Sequence, residues 1–181
     1  MSAPAGPVWP LLRSAAEAFC PPYEFESKQP GRLSLTLREA ETGDEIRLRY
    51  RSVRGLVLRT YYLVVEADVV GEGPAKAGEL AYRWRKLAWR RPKPPDAKRW
   101  RDRLGSADVR AALGRLQIET LTLAWEPERA TWRVRLETLS GSVTATFFPP
   151  LLTPNPFKRE EAAALAELLR ALRRASARTP V

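Results

Sequence analysis

The sequence predicts an α+β fold. It is expected to be a curved antiparallel sheet of about six to seven strands in two meanders, covered by a long C-terminal amphipathic helix and a short N-terminal helix. Three observations carry this expectation. Ile46, Leu48 and Tyr50 alternate with Arg47, Arg49 and Arg51, the period of a half-buried strand. Phe157, Leu165, Leu168, Leu169 and Leu172 form one helical stripe. Gly and Pro clusters separate the short runs between these two segments.

Residues 1–8 read as a flexible tail, 9–175 as a single α+β domain and 176–181 as a second tail. Pro10 sits at the start of the first helix, where Leu11, Leu12, Ala15 and Phe19 share a face, and Pro21-Pro22 ends it. Leu33, Leu35 and Leu37 then face one way. Thr42-Gly43-Asp44 is a turn into the Arg47–Arg51 strand. After Gly55, residues 56–70 are rich in Val, Leu and Tyr and read as one long strand. Gly71-Glu72-Gly73-Pro74 is a loop, and a further strand starts near Leu80.

Residues 83–105 read as a basic, Pro-containing linker. Within it, Asp96 is placed to cap a short helix ending at Gly105, and Ser106 to cap a second ending near Gly114. Residues 116–125, 131–138 and 142–148 read as three strands joined by Glu126-Pro127-Glu128 and Ser140-Gly141 turns. Asn155-Pro156 is expected to start the last helix. Its first turn carries Glu160 and Glu161 and its last Arg173 and Arg174, matching the helix dipole. The two halves are alike in pattern only, each a helix leading into a meander.

Composition narrows the chemistry. The chain has 181 residues, 31 Lys+Arg against 21 Asp+Glu, a net charge of +10, no histidine and one cysteine. Ser-His-Asp and Cys-His catalysis, His-ligated metals, CxxC redox chemistry and internal disulfides are excluded. GxGxxG, Walker A and GxSxG sequences are also absent. No catalytic residue, metal or cofactor is therefore assigned, and the reading leans away from an enzyme. Arginine supplies 25 of the 31 cations, as in a GC-rich, bacterial-like composition. That bias explains Arg in place of Lys but not the surplus, which favours nucleic acid, anionic lipid or an acidic protein. The N-terminus lacks the charged and apolar regions of a signal peptide, and no segment is expected to insert into a membrane. With a single cysteine, the expected compartment is the cytoplasm.

Three binding readings remain. Residues 83–103 hold ten basic residues and two acids, with Trp84, Trp89 and Trp100 interleaved. Arg83, Arg85, Lys86, Trp89, Arg90, Arg91, Lys93, Lys98, Arg99, Trp100, Arg101 and Arg103 are the candidate nucleic-acid site. The cations would meet phosphates, and Trp89 or Trp100 would stack on unpaired bases. The bland alternative is a solvated basic linker with buried indole anchors. A second basic surface would form if Arg47, Arg49, Arg51, Arg83, Arg85, Arg133 and Arg135 shared one open sheet face, which is otherwise the ordinary polar face of a one-sided sheet.

The alternative functions are a carrier of an apolar or lipid-like ligand, lined by Tyr61, Leu63, Trp125, Trp132, Phe147 and Phe148, and a protein-interaction or chaperone-like module. The module would be a homodimer using the Pro149-Pro150-Leu151-Leu152 loop and a free strand edge. Glu66 and Asp68, and likewise Glu24 and Glu26, are strand carboxylate pairs with no supporting motif. Cys20 lacks an activating base and reads as a packing thiol.

Overall fold

A computed structural model describes residues 8–20, 23–26, 34–39, 42–83, 86–90 and 93–177. The sequence tails at 1–7 and 178–181 lie outside them. Val8 and Ser176, read as tail residues, are buried. The described chain is mixed α and β, with α1 (Trp9–Glu17), β1 (Tyr23–Glu26), β2 (Ser34–Glu39), β3 (Glu45–Arg54), β4 (Leu58–Val70), β5 (Gly78–Arg83) and β6 (Lys86–Trp89). There follow α2 (Ala97–Leu104), α3 (Ala107–Gly114), β7 (Ile118–Glu126), β8 (Thr131–Thr146), β9 (Leu152–Pro154) and α4 (Arg159–Ser176). The nine strands form one open antiparallel sheet in the order β1-β2-β3-β4-β8-β7-β5-β6, with β9 on β8.

That count exceeds the expected six to seven, for local reasons. The short strands β1, β6 and β9 carry too few residues to show a period. In the other direction, Ser140-Gly141 is no turn. β8 runs through it, with Gly141 at φ 77°, so two expected strands are one. The second meander is also modified, because β5 pairs with β7 as well as β6.

The chain forms two compact units, residues 1–65 with 137–162 and residues 66–136 with 163–181. In the first, Leu35 lies opposite Leu48 and Leu37 opposite Ile46, which places the predicted apolar alternation on one buried face. Leu12, Ala15 and Ala16 of α1 are buried, and Phe19 stacks on Phe157 at 5.6 Å. The Tyr50 hydroxyl donates to the Gly141 carbonyl at 2.8 Å; burial raises its pKa far above the ordinary phenol value. A Cβ on Gly141 would sit 2.6 Å from Leu63 Cδ2, so a side chain is excluded by space as well as by φ.

The second unit is built on indoles. Trp132 has Trp125, Trp100 and Trp89 around it, with ring centroids at 5.2, 6.1 and 6.2 Å. Its Nε1 donates to the Glu72 carbonyl at 2.9 Å. The Gly71–Pro74 loop is fixed there too, with Gly71 N–H donating to Ala130 O and Glu72 N–H to Ser176 O. Gly73 packs directly against the Trp125 ring.

The helix ends show where side-chain chemistry departs from the sequence expectation. Asp96 makes no capping bond, and its carboxylate instead accepts from Trp100 Nε1 at 2.8 Å. Ser106 does cap α3, accepting from Val109 N–H. Asn155 does not start α4; its amide donates to Leu139 O, and the helix begins at Arg159. Glu161 takes the capping role by accepting from Lys158 N–H at 3.0 Å. The predicted apolar stripe is buried throughout, from Phe157 to Leu172.

Candidate nucleic-acid interface and the exposed tip

The basic segment does not fold as a plain linker: it supplies β6 and α2 of the second unit. Its residues therefore divide by the face they occupy. Trp100 is 2% exposed and Trp89 is half-buried, its Nε1–H donating to Ala97 O. Both rings pack on Trp132, so their faces serve the core. Arg103 lies over the Trp100 ring at 5.0 Å and pairs with Glu72 at 3.5 Å, and a further bond goes to the Ala177 carbonyl.

The remaining described cations point outward. Lys86, Arg90, Lys93, Lys98, Arg99 and Arg101 are all exposed. Arg90 pairs with Glu79 and Arg101 with Asp102, each at 2.9 Å. No ion pair among the described residues engages Lys86, Lys93, Lys98 or Arg99. Arg85, Arg91 and the side chain of Arg83 lie outside the described residues.

A half-open cleft of about 470 Å³ lies beside these residues, lined by Tyr82, Lys86, Leu87, Arg101, Asp102, Gly105, Ser106, Arg110 and Leu113. Lys86 and Arg101 come from the segment singled out in the sequence. Arg110 was missed, because a lone arginine on a short helix carries no signal until the fold brings it there. Chemically, three cations and one carboxylate around a cleft suit an anion.

Three arginines of the expected ladder are ion-paired, while Arg47 is exposed and no ion pair among the described residues engages it. Arg51 makes two bonds to Glu137, at 2.9 and 2.6 Å. Arg133 meets Glu126 at 2.9 Å and Asp68 at 3.8 Å, and Arg135 meets Glu66 at 3.9 Å. Glu66 and Asp68 thus serve as ion-pair partners for the neighbouring strand. Glu24 lies opposite Arg38 across β1 and β2. Cys20 has its pKa raised by burial, with help from the Glu17 charge, and its thiol donates to Tyr23 O at 2.9 Å. Among the described residues, no group of three or more Cys, Asp or Glu side chains is gathered as a metal site.

The expected carrier lining is dispersed. Leu63 is a core residue of the first unit, and Trp125 and Trp132 are core residues of the second. Phe147 and Phe148 instead project into solvent. Among the described residues, no helix is long and apolar enough to cross a membrane.

A family model described as a protein of unknown function, DUF3156, matches residues 20–176. The chain belongs to that family. No curated protein and no solved structure matches it.

Proposed function

We propose that this DUF3156 protein is a non-enzymatic binding protein that holds a nucleic-acid phosphate backbone on the basic face of its second unit. One observation carries the reading: Lys86 and Arg101 of the exposed basic segment line a cleft whose wall adds Arg110, and Arg90, Lys93, Lys98 and Arg99 of the same segment are exposed. The packing of Trp89 and Trp100 on Trp132 changes the mode expected from sequence. Contacts are to phosphates, without base stacking, so binding is insensitive to base sequence and steep in salt.

The test is fluorescence anisotropy with labelled duplex DNA, single-stranded DNA and RNA between 50 and 200 mM salt. Replacing Lys86, Lys93, Lys98 and Arg99 by Ala removes about four phosphate contacts, and the slope of log K against log salt should fall by about 3 to 4 on duplex DNA. An unchanged slope and affinity in that variant would show that the site lies elsewhere.

A further inference from the structure

Exposed apolar side chains are concentrated in the first unit. Val53, Leu56, Val57 and Leu58 lie in and beside the β3–β4 turn, and Phe147, Phe148 and Leu151 lie in the β8–β9 connection with Leu152 at the start of β9. The two segments are neighbours, since Phe147 N–H donates to Val57 O at 3.0 Å and the Arg54 guanidinium lies 6.0 Å over the Phe147 ring. Leu56 is 101% and Phe148 93% exposed, so each stands clear of every neighbour. The tip is also held in shape. Thr146 N–H donates to Leu151 O, Leu151 N–H to Thr146 Oγ1, and the Thr146 hydroxyl to Pro149 O.

We propose that this double-hairpin tip docks on an anionic lipid bilayer, dipping Leu56 and Phe148 into the headgroup–acyl boundary without spanning it. Shape and charge select this occupant. Fully projecting side chains need a partner that closes around them, which a fluid bilayer does without a prebuilt pocket. Arg54 and Arg59 flank the β3–β4 turn and no ion pair among the described residues engages either, and residues 138–157 carry no charge at all. A cationic collar behind an apolar tip matches anionic headgroups over an acyl layer. A second copy, tip to tip, would bring two such collars together and be repelled. The proposal does not depend on the nucleic-acid reading, because it uses other residues in the other unit.

The full chain should be sedimented with extruded vesicles of phosphatidylcholine alone and of phosphatidylcholine with phosphatidylserine. Binding should require the anionic lipid. Leu56→Ser with Phe148→Ser should lower partitioning about tenfold or more, with thermal melting unchanged, as expected for fully exposed sites. Duplex DNA affinity should not move in that variant, which separates this proposal from the one above. A Phe148→Trp variant supplies a second readout, in which brominated acyl chains should quench the added emission. The proposal is overturned if neither vesicle is bound, if the double-serine variant binds anionic vesicles as the wild type does, or if the added Trp is not quenched. Concentration-dependent dimerisation lost with the same substitutions would also overturn it, in favour of a second copy.

Discussion

Replacing Trp100 by Phe separates a structural indole from a base-stacking one. The Trp100 ring lies 6.1 Å from Trp132 at 49°, and its Nε1 donates to Asp96 Oδ2 at 2.8 Å. Phe keeps an aromatic ring but loses that hydrogen bond, which is worth about 1.5 kcal/mol when a carboxylate accepts it. Asp96 already has its other carboxylate oxygen buried without a partner, so little nearby can replace the lost donor. The lost indole surface adds about 1 kcal/mol at roughly 25 cal/mol per Å². The sum, about 2.5 kcal/mol, is a large part of the stability of an ordinary domain. With a urea m-value of about 2 kcal/mol/M, the unfolding midpoint should fall by about 1 M. Affinity for single-stranded DNA, measured below the new transition, should change by less than about twofold, since the ring is enclosed. A midpoint within about 0.2 M of wild type, together with a tenfold loss of single-strand affinity, would refute the core assignment and restore stacking.

Two further outcomes follow from the first unit. Gly141→Ala must bear both a φ of 77° and a Cβ 2.6 Å from Leu63, whereas Gly43→Ala bears a φ of 71° with nothing within 4 Å. The first should cost about 3 kcal/mol and the second about 1 by urea unfolding; equal costs would mean that Leu63 yields freely. Cys20 has its pKa raised above the ordinary value of 9.0, so its thiolate is scarce at neutral pH and grows only as pH climbs past that value. Iodoacetamide labelling should therefore be slower than for a free thiol at pH 8 and still be rising at pH 9.5; a rate already at its plateau by pH 8 would contradict the burial effect.

Much of the element pattern was legible. The alternation in β3, the stripe of α4 and the Ser106 cap depend on neighbours a few residues away, and the structure bears each out. The short strands were not, because β6 and β9 are held by pairing with β5 and β8 rather than by their own period. The turn chemistry of Ser140-Gly141 misled for a related reason. The same positive φ that suits a turn also lets a strand continue past a crowded point where Leu63 and Phe157 press on the backbone.

The charge surplus, the missing histidine and therefore the chemistry this chain lacks are sums over residues and need no fold. The grouping of cations and tryptophans in residues 83–103 is likewise plain from the sequence. Which of them face water is set by the fold. Neighbours in sequence on β6 and α2 point to opposite sides, so Trp89 and Trp100 join Trp132 while Lys86, Lys98 and Arg99 remain exposed. The same holds for carboxylates and apolar tips. Glu66 and Asp68 meet Arg135 and Arg133 only because β4 lies beside β8, and Leu56 and Phe148 share one tip only because two distant hairpins end side by side. Pairing between strands far apart in sequence is set by the whole sheet, and no local pattern encodes it.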